Sequence, residues 1–342
     1  MSASAINFDT LATPSLEWSI LPRPRGPFSA YVLSTLKGGA GGIGLSPPVC
    51  ETDALGDDDL SLALFFCYEA LYCGVTDGRW EWDPGLQTFR AELEQTFERR
   101  LRDEIAVPIS SLPLEVASLL EEMIQAAREP SLSRFLVEVG TLGQFCEFFI
   151  HRPVHQSKGA DPYALEAARL TRESLATFER HVEQHGSGDD GDVPLTMYGD
   201  VMTALGLDVT YGSYVDVLSG VTLDSVNVIS MFDLHPRWRT AFVGHLTAFE
   251  MLSVGRSRGF RESLLRFGIG QGSQHSFDAG RTTVGHRPSI ARDQLVALAR
   301  AEPELVVDLL FGSAVLVTLE RRFTAHLLGA WAGNRSSLVE RV

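Results

Sequence analysis

Apolar residues along this chain recur at steps of three and four, and the runs between them are polar or glycine-rich. The clearest case is residues 84–106, where Leu86, Phe89, Leu93, Phe97 and Leu101 share one side of a 3.6-residue repeat. Pro84 opens that run, at a position where a helix has no use for an N–H. The stretch "DDDLSLALFFCYEALY", from Asp57, begins with aspartates, which favour a helix N-terminus. Its apolar residues then follow at helical spacing, with Leu62, Phe65, Phe66 and Glu69 on one broad face. The same reading predicts helices over 113–128, 131–150, 162–185, 194–206, 208–218, 222–232, 236–254, 258–267, 289–300 and 302–330. Strand-like alternation is hard to find. The expected fold class is therefore all-α.

Between the helical runs lie an irregular segment, 1–26, and the glycine- then proline-rich "GGAGGIGLSPPVC" at 38–50. A phosphate loop would need GxxxxGK[ST], and this run has no such lysine. Further on come an acidic glycine-rich loop, "HGSGDDGDVP" (185–194), and the helix-poor "GQGSQHSFDAGRTTVGHRP" (270–288). The expected organisation is an irregular segment over 1–26 and one helical domain over 27–342.

Composition narrows the function classes. The 342 residues are 44% apolar and carry a net charge of −15. The 29 lysines and arginines are spread along the chain, without the basic stripe that a nucleic-acid surface requires. The most apolar stretch, "LVVDLLFGSAVLVTL" (Leu305 to Leu319), contains Asp308 and is shorter than the ~20 residues of a membrane span. It reads as a buried helix. The opening "MSASAINFDTLATPS" lacks a basic run followed by an apolar one, so no secretory signal is expected there. Cys50, Cys67, Cys73 and Cys146 form no CxxC pair. Free thiols in a reducing cytoplasm are the expectation, with neither nucleic acid nor membrane as partner.

Candidate chemistry starts with carboxylates in apolar helices. Glu69 lies within "LFFCYEALY" and Glu250 within "AFVGHLTAFEMLSVG". Burying either costs free energy unless something compensates. His245 stands five residues before Glu250, about 140° away around a helix, and reads as a core histidine. His151 and His155 have metal-ligand spacing, but Pro153 between them breaks the helix that spacing needs. His181 and His185 share the spacing in the polar block "ERHVEQH", where a solvated helix end is the default. No GxSxG, HExxH or GxGxxG pattern in its proper context is present.

The phrases "LPRPRGPFSAYVLSTL", "DDDLSLALFFCYEALY", "DGRWEWDP", "IHRPVHQSKGADPY", "TLDSVNVISMFDLHPRWRTAFVGHLTAFEM" and "ARAEPELVVDLLFGSAVLVTLERRFTAHLLGAW" resemble a known family. They are similar to bacterial iron-containing redox enzymes with a heme-oxygenase-like fold. The resemblance implies a helical bundle hosting a non-haem di-metal oxidase or oxygenase, many of which act in natural-product pathways. It places Glu69 and Glu250 at two metal-binding glutamate positions. Elsewhere the chain departs from the family's pattern. Where a helix typically begins KEADPH, this chain has "KGADPY", with Gly159 and Tyr163 at the ligand positions. Where HYRGF is typical, it has Leu71-Tyr72-Cys73-Gly74-Val75. In the late segment Asp278 matches an acid, while His286 stands about one place out of register.

The resemblance thus implies an oxidase scaffold whose di-iron site is degenerate. Glu69, Glu250 and Tyr163 are the candidate catalytic residues, and His185, His286 and Asp278 the candidates for any altered metal site. Two readings stay open. One is a biosynthetic enzyme acting on a small metabolite by metal-independent or altered-metal chemistry. The other is a non-catalytic relative that binds a small molecule or a pathway-enzyme partner; a homodimer is compatible with either.

Overall fold

The computed structural model describes residues 21–37, 55–72, 79–105, 115–128, 131–152, 201–210, 212–269 and 287–340. Its principal elements are the helices α1 (Pro27–Leu36), α2 (Asp58–Tyr72), α3 (Pro84–Glu104), α4 (Val116–Ala127), α5 (Leu132–Glu138), α6 (Leu142–His151), α7 (Gly220–Leu234), α8 (Arg239–Arg266), α9 (Arg287–Ala301) and α10 (Val306–Ala332). Short 3₁₀ turns join several of them, and no strand occurs among the described residues. The all-α expectation holds.

The three consecutive aspartates organise one end of the bundle, each at a different helix start. Asp57 caps its own helix, its Oδ1 accepting from the amides of Asp59 and Leu60 at 3.1 and 2.7 Å. Asp58 accepts from the amide of Gly220, the first residue of α7. Asp59 reaches back to α1 and accepts from the amides of Phe28 and Ser29 at 2.9 and 2.8 Å. Carboxylates at these positions satisfy orphan N–H groups and complement the positive helix end. They also set direction. Gly56 meets Gly220, and Ser61 bonds Asp224 and Asn227, so α2 and α7 run parallel from neighbouring N-termini.

Two long helices, α8 and α10, pass through all three apolar clusters of the interior. They cross antiparallel at glycine: a Cβ on Gly244 would strike the Leu309 carbonyl, and one on Gly312 the Ala241 carbonyl. Ser313 donates across the crossing to the carbonyl of Gly244 at 2.8 Å. The first cluster joins α1, α2, α3 and α7 to the start of α8 and the middle of α10. The second holds α4 and α9 against the spine, and the third holds α5 and α6. Each fully buried Phe or Leu in these layers stabilises the fold by about 1.5–3 kcal/mol.

Several element boundaries differ from the sequence expectation. The run 131–150 is two helices, because the backbone turns at Gly140 and restarts at Thr141. There Thr141 Oγ1 accepts from the Gln144 amide while Gln144 accepts from the Thr141 amide, a capping box. The expected helices 236–254 and 258–267 are one continuous helix, α8. Residues 208–210 and 212–218 form bends, turns and a short 3₁₀ segment, with Gly212 at a φ of 78° and Gly206, just before them, at 70°. Helix α1 was not anticipated. The expected helix over 162–185 lies outside the described residues.

Candidate functional site

α2 is buried on every side, not on one face alone: from Leu60 to Ala70 its side chains are enclosed. A helix apolar all round belongs at the centre of a bundle. Glu69, with 0% of its surface exposed, sits near the C-terminal end of that central helix. Ser61 faces Asp224 and Asn227 on the parallel α7. An equal climb along both helices puts Glu69 level with Phe232 and His235.

Glu250 is 9% exposed and continues the α8 stripe Phe242–Leu246–Glu250, whose residues recur every four positions. Phe242 and Leu246 belong to the same apolar cluster as Phe65, Phe66 and Ala70, the neighbours of Glu69. The two glutamates therefore project from helices that share a core. The opposite side of α8, through Gly244, Ala248 and Leu252, is occupied by α10 and α4.

The histidines on these helices have defined places. His151 ends α6 as a fully buried residue with both ring nitrogens engaged, Nδ1 with Thr222 Oγ1 at 2.7 Å and Nε2 with Ser337 Oγ at 3.1 Å. It is a satisfied core histidine and not half of a metal pair; His155 lies outside the described residues. His235 bonds Glu94 at 2.9 Å, and the other oxygen of Glu94 accepts from Tyr68, also at 2.9 Å. Burial and the adjacent Glu94 carboxylate push the Tyr68 phenol well above its ordinary value. His326 bonds the Ser337 carbonyl at 2.8 Å.

His245 differs from these. It is 3% exposed, its ring meets Phe232 edge-on at a centroid distance of 5.8 Å, and the backbone of Gly312 on α10 lies beside it. Its Nδ1 is buried and has no hydrogen-bond partner among the described residues. Burial lowers its pKa to about 4, so the ring is neutral at neutral pH. Sequence reasoning treated it as a satisfied core residue. What it missed is that Nδ1 is enclosed without a partner among the described residues, at the crossing with Gly312, far away in the chain.

The other candidates, Tyr163, His185, Asp278 and His286, lie outside the described residues, as does Gly159. A groove lined by Ser118, Glu121, Glu122, Gln125, Arg128 and Met251 runs between α4 and α8, and neither Glu69 nor Glu250 lines it.

Iron needs a denser donor set than these helices supply. Di-iron centres in helical bundles combine several carboxylates with imidazoles on facing helices. Among the described residues no group of three or more His, Cys, Asp and Glu side chains could hold a metal ion. The imidazoles of His151, His235 and His326 are committed to hydrogen bonds elsewhere. The described residues alone do not fit an iron centre.

No helix of the described residues is long and apolar enough to cross a membrane. Comparison with curated proteins finds no match. The model of the iron-containing redox enzyme family matches residues 146–321, from within α6 through α7, α8 and α9 into α10, and the chain belongs to that family, with its all-α, heme-oxygenase-like bundle.

Proposed function

We propose that this chain is a biosynthetic enzyme of the bacterial cytoplasm that acts on a small metabolite without the family's two-iron centre. In this reading Glu69 and Glu250 serve as acid and base at the substrate, and Tyr163 supplies a hydroxyl partner. The observation that carries it is Glu69, a carboxylate fully enclosed at the centre of the bundle, in the helix most shielded from water. Enclosing a carboxylate costs several kcal/mol of solvation that an apolar residue would not forfeit. Enclosed titratable groups of this kind concentrate at functional sites. The donor set supports the metal-independent part. Glycine and tyrosine stand at positions 159 and 163, where the resembled pattern has glutamate and histidine, and His151, His235 and His326 are engaged in hydrogen bonds elsewhere.

The test loads the purified chain with Fe(II) under anaerobic conditions and measures iron per chain. Substoichiometric iron is expected. Two irons per chain overturn the metal-free reading. In parallel, candidate intermediates drawn from the products of neighbouring genes are assayed with wild type and Glu69→Gln. Turnover that Glu69→Gln abolishes supports the enzyme. Absence of turnover, together with tight co-elution of a partner enzyme, supports the binding role instead.

A further inference from the structure

We propose that Tyr68 is a redox site, a phenol that gives one electron to an outer-sphere one-electron oxidant while its proton passes to Glu94. The inference stands apart from the acid–base reading of Glu69 and begins with hydrogen-bond roles. Tyr68 lies on α2 with 0% of its surface exposed, and its hydroxyl donates to Glu94 Oε1 on α3 at 2.9 Å. A phenol has one hydrogen, so Glu94 is the group placed to take it. Arg90 Nε stands 3.5 Å from the same oxygen, in an ion pair that has Glu94 as its carboxylate. An ionised carboxylate only accepts, so His235 donates from Nε2 to Glu94 Oε2 at 2.9 Å. His235 stands at the C-terminal end of α7, and its side chain is 29% exposed. The row therefore runs from a phenol in the core, through a carboxylate 6% exposed, to an imidazole that reaches the surface.

Electron and proton leave this phenol together. Burial and the Glu94 charge hold its proton well above the ordinary phenol range, so a phenolate does not form first. The radical cation of a phenol is a strong acid, and here a carboxylate waits at 2.9 Å. The phenol O–H bond breaks, a new O–H bond forms at Glu94 Oε1, and the electron goes to the oxidant. What remains is a neutral phenoxyl radical beside a neutral carboxylic acid. That acid donates back to the phenoxyl oxygen, while its other oxygen still accepts from His235. Re-reduction returns the proton along the same bond. The fitting oxidants are metal complexes and organic radicals, which take one electron without a bond to the donor. Leu64, Phe65, Phe89 and Leu93 share the apolar cluster of Tyr68 and shield the radical from other molecules. The neighbouring thiol does not compete. Burial pushes Cys67 up to about 12, so it stays protonated, and oxidation of cysteine follows thiolate character.

The experiment oxidises the purified full-length chain with photogenerated tris(bipyridine)ruthenium(III) and freezes the product for electron paramagnetic resonance. Chain made with ring-deuterated tyrosine identifies a tyrosyl signal by its collapsed hyperfine splitting. Wild type is expected to give that signal, and Tyr68→Phe to remove most of it. Tyr214, whose hydroxyl oxygen accepts from the Asp208 amide at 2.8 Å, is the control, and Tyr214→Phe should leave the signal unchanged. Glu94→Gln keeps an acceptor oxygen for the phenol but cannot take its proton, and should slow radical formation about a hundredfold or more. A hydrogen bond that merely joined α2 to α3 would leave that rate unchanged. No tyrosyl signal in wild type, an undiminished signal in Tyr68→Phe, or wild-type kinetics in Glu94→Gln overturns the proposal. None of these readouts involves turnover or iron, so failure here is separable from failure of the proposed enzyme.

Discussion

Ser313 on α10 donates its hydroxyl to the carbonyl of Gly244 on α8 at 2.8 Å, and Gly312, the residue before Ser313, lies beside His245, the residue after Gly244. Two adjacent pairs thus meet where the helix backbones come closest. The crossing fixes how the two helices meet along their length, and so fixes where the Phe242–Leu246–Glu250 stripe faces.

Gly244→Ala and Gly312→Ala should each destabilise the protein by about 1–3 kcal/mol or more. Alanine is the better helix former by about 1 kcal/mol, but its methyl would meet a backbone carbonyl that no side-chain rotation can move. Gly329, exposed on the same helix α10 with nothing near its Cβ position, is the control. Gly329→Ala should stabilise by roughly 1 kcal/mol. Urea unfolding of the three variants checks the opposite signs.

The aspartate triplet allows a graded test. Asp59→Ala removes the acceptor for the amides of Phe28 and Ser29 and should cost about 1–2 kcal/mol. Amide hydrogen exchange should then accelerate first in α1. Asp57→Ala should instead loosen the first turn of α2, where Leu60 loses its 2.7 Å partner. Equal loosening of α1 and α2 in both variants would show that the caps do not act on separate helices.

How much of this was legible in the chain depends on the range of the interaction. Helix α3 was readable because Leu86, Phe89, Leu93, Phe97 and Leu101 all became buried, and Asp83 caps the helix through the Leu86 amide at 2.8 Å. Spacing and cap are local. The break between α5 and α6 was also local, as Thr141 and Gln144, but the surrounding apolar run concealed it. At the candidate site, Glu69 and Glu250 stood out as carboxylates among apolar residues. That their helices, α2 and α8, share one core did not, because it depends on how α2, α7 and α8 pack together, with α2 and α7 tied by the Asp58–Gly220 contact. No spacing rule connects residues so far apart in the chain. That His245 Nδ1 is enclosed without a partner among the described residues was hidden for the same reason.

Two buried groups should oppose each other in acid. Burial pushes Asp224 from 3.8 up to about 7, against the hydrogen bonds it accepts from Ser61 and Gly56. Folded Asp224 keeps a proton that the unfolded chain releases, so its contribution to stability falls as pH rises from about 4 to 7. His245, lowered from 6.5 to about 4, does the reverse. The unfolded chain binds the proton first, and stability is lost as pH falls through that window. Between about pH 4 and 6.5 the two slopes, each about 1.4 kcal/mol per pH unit at most, cancel. Relative to wild type, Asp224→Asn should therefore become more acid-sensitive over this range, and His245→Gln less so. Unfolding free energies at three pH values decide it, and parallel shifts in both variants would contradict the assignment.

Glu147 should prove to hold the C-terminal segment in place. Its Oε2 accepts from Trp331 Nε1 at 2.7 Å and from the amide and hydroxyl of Ser337 at 2.9 and 2.7 Å, while Oε1 accepts from Ser336 at 2.8 Å. Burial raises its pKa, but these four donors outweigh burial and hold the carboxyl below its ordinary value. The clamp is thus present at neutral pH and is lost only as pH falls through that lowered value. Ser337 in turn holds His151 and His326, and Val339 donates to the Val217 carbonyl at 2.9 Å. Glu147→Ala leaves several donors without their acceptor and should cost about 1–3 kcal/mol. The loss should be local. The amides of Ser337 and Val339 should exchange faster and Trp331 fluorescence should shift to the red, while exchange in α2 stays slow because no residue of that helix bonds the segment among the described contacts. If α2 loosens in parallel, the segment is part of the global core and not a separately held strap.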